Sequence, residues 1–231
     1  YHIDYALLLN SSSLNLQKYL HDRDWKAIYL APYHSLFISP NNPEIREYSD
    51  YYKHSFIFND FYNNLIDTLK TDSLFRIELA RQIEQQGDFY TSQTFSGLLN
   101  VAEGNPGRAV SIWNDLVVNF PRFHLAYYYL ASHLKEMERF DEALKLIEHC
   151  NLINKNIITL TEHAEILFKL KKFKALKKIV ENQFKELNEI PFNRRLFQIM
   201  AESEYNLGNF KKSYFYFSSL AAKDKDQDDI T

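Results

Sequence analysis

The sequence has one cysteine, five glycines and six prolines in 231 residues. Each scarcity removes a class of chemistry. A single thiol, Cys150, excludes an internal disulfide and any metal site built on several cysteines, and it fits a reduced cytosol or a bacterial envelope compartment equally. Five scattered glycines give almost no material for the glycine-rich turns that hold phosphates or dinucleotides. A formal charge of -3 supplies no field that would draw in nucleic acid or an anionic membrane. Apolar runs are short: Tyr5 to Leu9 falls far below the roughly 20 residues of a membrane-spanning helix. The opening "YHIDYALLLN" has no initiating Met and no secretory leader, which suggests a piece of a longer protein. What is abundant is apolar and aromatic: 45% hydrophobic residues, with 18 Phe and 16 Tyr. That is ample for a folded core dominated by thick helix packing.

The core material recurs at a fixed period. "GNPGRAVSIWNDL" (104–116), "ERFDEALKLIEHC" (138–150), "KKFKALKKIVENQ" (171–183) and "GNFKKSYFYFSSL" (208–220) align without internal gaps. Their turn positions Pro106, Phe140, Phe173 and Phe210 are 34, 33 and 37 residues apart, the spacing of a helix-turn-helix solenoid unit. A helical stretch precedes each copy and carries a small residue at one offset: Gly97, Ala131, Ala164 and Ala201. In the second helix Ala109, Ala143, Leu176 and Ser213 stand at the packing point, followed four residues later by Trp113, Ile147, Val180 and Phe217.

This alternation of small residue, aromatic turn, small residue and bulky residue resembles the tetratricopeptide repeat (TPR) family over about residues 90–222. The resemblance implies a mostly α-helical, right-handed solenoid that binds a protein segment on its concave face. The copies depart from the family where a large residue of the first helix is replaced by Asn100 and Glu204, and where the repeat-final proline survives only as Pro121. Asn105 and Pro106 suit an N-cap and first helical position, and Pro121 and Pro191 mark expected openings of first helices. Lys171, Lys172 and Lys174 crowd a helix N-terminus, against the helix dipole.

One period further back, residues 56–89 form a degenerate unit, with "FIFNDFYNNLIDTL" and "DSLFRIELARQIEQQ" as its helices. Residues 1–50 differ. "DYALLLN" is a strand-like run, "SSSLNLQKYLHDR" a capped helix, and "WKAIYLAPYHSLFIS" two strands about a turn near Pro32. The expected organisation is a small N-terminal α/β element (1–50), a solenoid (56–222) and a charged tail (223–231, "KDKDQDD"). The order of strand, helix and Trp-led strand over residues 3–48 is similar to the soluble segment that follows the membrane helices of bacterial polytopic glycosyltransferases using lipid-linked sugars. That resemblance carries no catalytic residue into this chain.

No residue set announces catalysis, and none suggests a cofactor or metal. In "TEHAEIL", His163 falls at an inward offset, between Glu162 and Glu165, with no second His nearby in sequence. Cys150 sits on the apolar face of its helix as a small hydrophobe, and Ser11, Ser12 and Ser13 serve as a cap. "NSS" at 10–12 matches a glycosylation sequon. The basic run "KLKKFKALKK" (169–178) reads as the solvated side of a repeat helix whose Phe173, Leu176 and Val180 face inward.

The functional expectation is therefore a surface: a non-catalytic interaction or scaffold module with a protein or peptide partner. The outward offsets of the first helices give Thr91, Thr94, Leu98 and Val101 in the first copy and Tyr128, Ser132, Lys135 and Glu136 in the second. The third supplies Thr161, Glu165, Phe168 and Lys169, and the fourth Arg195, Gln198, Glu202, Tyr205 and Asn206. Thr94 and Leu98 replace the Lys and Asn with which TPR domains grip a chaperone's terminal carboxylate, which disfavours that ligand. Charge reversal at Lys135, Lys169 or Arg195 is expected to weaken binding without unfolding the chain. The different-class alternative is the non-catalytic C-terminal region of a membrane glycosyltransferase.

Overall fold

The structure is a computed structural model that describes residues 4–9, 20, 23–30, 34–46, 62–87, 90–183 and 193–228. The chain divides into two compact units, Tyr1–Asn119 and Phe120–Thr231.

The first unit opens with strands β1 (Tyr5–Leu9), β2 (Lys26–Leu30) and β3 (His34–Ile38), in an antiparallel sheet of order β1-β3-β2. The expected two strands about residue 32 are present, and the "DYALLLN" run joins their sheet on the far side of β3. Alternation sets the faces: Leu7 is exposed, whereas Leu8, Leu20, Ala27 and Phe37 form one apolar cluster with Ala6 and Trp25 against it. A bulge between Ala27 and Tyr29 shifts the register of β2 against β3. A short 3-10 helix, Pro43–Arg46, follows, with Asn42 Oδ1 accepting from the Glu44 amide at 2.9 Å. The serine cap at 11–13, the sequon, Pro32, residues 56–61 and Pro191 lie outside the described residues.

Among the described residues, four longer helices follow in this unit: α1 (Tyr62–Thr71), α2 (Ser73–Gln86), α3 (Tyr90–Ala102) and α4 (Pro106–Asn119). Asp72 caps α2 by accepting from the Phe75 amide. Among its described residues the second unit holds three hairpins. They are α5 (His124–Glu136) with α6 (Phe140–Ile153), α7 (Ile157–Lys169) with α8 (Phe173–Gln183), and α9 (Arg194–Asn206) with α10 (Phe210–Asp228). Within it α7 packs on α6 and α9 packs on both α7 and α8. Its core gathers Leu160, Ala164, Leu176, Val180, Leu196, Met200 and Ala201.

All four predicted turn residues are the first residues of their second helices: Pro106, Phe140, Phe173 and Phe210. The small residues Gly97, Ala131, Ala164 and Ala201 are buried, as are Ala109, Ala143, Leu176 and Ser213. The chain is thus mostly helical, with TPR-like helical repeats and a small N-terminal sheet.

A feature the periodicity did not reveal stops each first helix. Gly104, Glu138, Lys171 and Gly208, each two residues before the turn residue, have positive φ of 84°, 60°, 57° and 75°. The next amide reaches back five residues, as in Asn105 N to Asn100 O (2.7 Å) and Lys172 N to Leu167 O (2.8 Å). This is the Schellman stop, which satisfies carbonyls the helix end would leave orphaned.

Three expectations need correction. Pro121 lies in a turn and α5 opens at His124, because Arg122 completes the turn and Phe123 is the N-cap. Phe217, expected to pack like Trp113, Ile147 and Val180, is exposed, because α10 has only α9 as a substantial described neighbour. α10 continues to Asp228, through six residues of the expected tail, since no Gly or Pro interrupts that stretch.

Candidate functional site

In the first unit the outward row of α3 is closed. Thr91, Thr94 and Leu98 are buried and Val101 is half-buried. Thr94 Oγ1 donates to Tyr90 O at 2.8 Å, and Trp113 Nε1 donates to Thr94 O at 3.1 Å. Trp113 packs against Gly97: a Cβ there would be 2.3 Å from the indole nitrogen, so glycine is required. This row is packing.

In the second unit the row begins equally closed. Tyr128, Ser132, Lys135 and Thr161 are buried. Lys135 is the surprise, since a lysine ammonium leaves water only when paired. Its Nζ lies 3.1 Å from Glu162 Oε1, 3.1 Å from Glu165 Oε2 and 3.4 Å from Glu136 Oε1. Glu165 also accepts from Arg195 Nη2. One carboxylate therefore ties α5 to α7 and α7 to α9. Burial acts to lower the Lys135 pKa, but Glu162, Glu165 and Glu136 outweigh it and raise it. Burial raises the Glu162 carboxyl and prevails over Lys135, whereas at Glu165 the charges of Lys135 and Arg195 overcome burial and hold the carboxyl low.

This cluster corrects the expectation for Lys135. Charge reversal there would set a fourth carboxylate beside Glu136, Glu162 and Glu165 in a buried site, so it would test stability and not recognition. The spacing held the signal, because Lys135 and Glu165 stand 30 residues apart, close to the repeat period.

Beyond the cluster the row opens. Glu165, Phe168 and Glu202 are half-buried, and Lys169, Arg195, Gln198, Tyr205 and Asn206 are exposed. Gln198 Nε2 donates to Glu202 Oε1 at 3.4 Å, and Asn206 Nδ2 to Glu202 O at 2.7 Å. Positions 195, 198, 202, 205 and 206 recur at helical spacing and form one face of α9.

The other singled-out groups are structural. His163 is buried, its Nδ1 3.3 Å from Asn151 Nδ2, and burial with the charge of Lys155 pushes its pKa down to about 4. Cys150 donates through Sγ to the His124 carbonyl at 3.3 Å. Burial pushes its thiol up to about 12, the opposite of an activated nucleophile. Lys169, Lys171, Lys172, Lys174 and Lys178 are exposed around buried Leu176 and Val180, the solvated side that the sequence suggested. Among the described residues no group of His, Cys, Asp or Glu could hold a metal ion, and no helix is long and apolar enough to cross a membrane.

No family model matches the sequence, and no curated protein matches it significantly. Solved structures do resemble it in fold. MamA of strain MSR-1 aligns over 72% of this chain and 96% of its own, at 16% identity and a TM-score of 0.54. MamA from Desulfovibrio magneticus RS-1, residues 41 to the end, aligns over 72% and 95% at 13% identity and a TM-score of 0.56. A further MamA crystal structure covers 75% of this chain and 99% of its own at 14% identity and a TM-score of 0.55. MamA is a TPR-fold protein, so the likeness agrees with the repeats in the fold.

Proposed function

We propose that this chain is a non-catalytic protein-interaction module, and that the open stretch of the first-helix row in its second unit receives a peptide or partner helix. The observation that supports this is a contrast along one row. Lys135, Glu165 and Arg195 tie three successive first helices together, while Phe168, Lys169, Gln198, Tyr205 and Asn206 beside them remain available. A pre-organised scaffold lowers the cost of ordering on binding. The mixture of an aromatic ring, a cation and amides suits an extended segment whose backbone needs donors and acceptors.

The test is a peptide-display selection with the intact chain, followed by affinity measurement on the variant Lys169→Glu/Gln198→Ala/Tyr205→Ala. These three side chains are exposed, so the fold should persist. Selected peptides should bind the variant about tenfold or more weakly. Equal binding to both, or no selected peptide, removes this face as the working surface.

A second reading takes the chain as a non-catalytic part of a bacterial polytopic glycosyltransferase. It draws support from the β1-β3-β2 sheet, which supplies the strand and the Trp-led strand of that resemblance. Apolar segments of about 20 residues upstream in the reading frame would favour it.

A further inference from the structure

The link between α6 and α7 is held by a chain of hydrogen bonds whose direction runs from donor to acceptor without a break. The Asn156 amide donates to Thr159 Oγ1 at 3.1 Å, while Asn156 Oδ1 accepts from the Ile158 and Thr159 amides at 2.9 and 3.0 Å. This is the reciprocal capping box of α7. The Thr159 hydroxyl has one proton to give. Its shortest acceptor is Asn151 Oδ1 at 2.7 Å, against 3.2 Å for the Asn156 carbonyl and 3.4 Å for that of Asn154. With Oδ1 so engaged, Asn151 presents Nδ2, a donor, to His163 Nδ1 at 3.3 Å. A ring nitrogen accepts only when it carries no proton, so the chain selects the neutral imidazole protonated at Nε2. The described surroundings favour the neutral ring as well. His163 is buried, and the charge that reaches it is the cation of Lys155 on the link. Its neighbours on α7, Glu162 and Glu165, are engaged by Lys135 of α5, and Glu165 also by Arg195 of α9. Lys177 of α8 is held by Glu204. Glu148 and His149 of α6 are exposed, His149 with its ring against Tyr127. His124 of α5 reaches the same link, its Nε2 3.0 Å from Asn154 Nδ2, and burial lowers its pKa too.

We propose that His163, Asn151 and Thr159 form an acid-sensitive latch on the α6–α7 junction, in which protonation of the imidazole withdraws Asn151 from Thr159 and loosens the capped start of α7. A proton taken from solvent onto Nδ1 sets two donors face to face. Asn151 must then turn its amide over or move away, and either change takes Oδ1 from the Thr159 hydroxyl. The latch reaches beyond its own turn, because α7 also carries Glu165, whose carboxylate ties α5 to α7 and α7 to α9. Burial first, and Lys155 second, push the His163 pKa down to about 4, against about 6.5 for a free imidazole. A histidine depressed in this way contributes stability that is complete above pH 6.5 and is lost as the pH falls toward 4. Between pH 7.5 and 5 the linkage multiplies the unfolding equilibrium constant about 30-fold.

The experiment follows the His163 imidazole of the intact chain by nitrogen-15 NMR between pH 7.5 and 4, together with amide exchange and with urea denaturation at pH 7.5 and 5. Two variants accompany the parent. His163→Asn keeps an acceptor near the place of Nδ1 but does not titrate. Asn151→Asp replaces the donor facing Nδ1 with an acceptor that welcomes a protonated ring. In the parent the expected spectrum is the Nε2–H tautomer, titrating well below 6.5, with the Ile158 and Thr159 amides losing exchange protection before those of α9 as the ring protonates. From pH 7.5 to 5 the parent should lose about 30-fold more of its folding equilibrium constant than His163→Asn, since the other titrating groups are common to both. Asn151→Asp should raise the His163 pKa and shrink that loss. An Nδ1–H tautomer, titration near 6.5, or equal acid sensitivity in the parent and His163→Asn would overturn the proposal. Cap amides that stay protected while the ring protonates would also overturn it, as would an Asn151→Asp variant with unchanged His163 titration, since burial would then act without the relay. Tautomer, titration and exchange are read in the parent, so they decide the matter even where a variant does not fold. None of these readouts uses a bound peptide, and the latch stands or falls apart from the proposed binding face.

Discussion

The α3–α4 hairpin of the first unit and the α9–α10 hairpin of the second share a backbone plan but fill it with opposite chemistry. Both close through a left-handed glycine, Gly104 or Gly208, two residues before the second helix. Inside α3–α4 a whole indole, fully buried Trp113, occupies the space that Gly97 vacates. Inside α9–α10 the matching small residue is Ala201, and buried Glu204 brings a charge into the packing. Its carboxylate lies 3.2 Å from Lys177 Nζ and accepts from Asn209 Nδ2 at 2.5 Å. The contrast teaches that the turn and the small residues define the repeat, while the filler is free provided that its volume and polarity are answered locally.

The largest expected effect breaks the first hairpin. Gly97→Ala puts a methyl 2.3 Å from the Trp113 nitrogen, and Trp113 is enclosed on all sides. The cost should be about 3 kcal/mol, at the upper end of overpacking. The mirror substitution Ala201→Gly opens space and should cost only about 1 kcal/mol through helix propensity. Urea denaturation of both variants checks the pair. Equal costs would mean that the indole does not dictate the glycine.

The next effect strips the second hairpin of its countercharge. Lys177→Met leaves buried Glu204 with Asn209 alone and should cost about 2 to 3 kcal/mol. The double variant Lys177→Met/Glu204→Leu should regain most of that loss, since removing both charges ends the desolvation penalty. A double variant no more stable than the single one would show that the ion pair is incidental to packing.

Much of this organisation was legible because periodicity is a property of sequence. The turn residues Pro106, Phe140, Phe173 and Phe210, and the small residues facing them, kept their offsets, so helix starts and core positions could be read by alignment alone. The candidate row was legible only in part. An outward offset predicts direction but not cover, and Leu98, Tyr128 and Lys135 point along the expected row yet are buried. Lys135 could be interpreted only once Glu162 and Glu165 from the next copy were set beside it, because ion pairs between repeats are long-range in sequence. The continuation of α10 through "KDKDQD" was missed for a different reason. Charged, apolar-poor residues suit a tail by composition, but nothing in them stops a helix already under way.

The left-handed stop was hidden because its residue type is not conserved between copies: Gly104 and Gly208 fit it, whereas Glu138 and Lys171 adopt it against their own preference. This yields the smallest prediction and the most direct test of the shared plan. A non-glycine residue in this conformation is strained by roughly 1 to 2 kcal/mol, whereas glycine loses about 0.5 to 1 kcal/mol more backbone entropy on folding. The difference leaves a gain of about 0.5 to 1 kcal/mol for Glu138→Gly and for Lys171→Gly, both exposed positions. Gly208→Ala should lose a similar amount, although its Cβ would meet nothing within 4 Å, because the strain there comes from the backbone alone. Chemical denaturation of the three variants reads these shifts directly. If adding glycine stabilised the two middle turns while Gly208→Ala cost nothing, the last hairpin would be held by Glu204 and its partners, and the two hairpins would differ in their turns as well as in their filling.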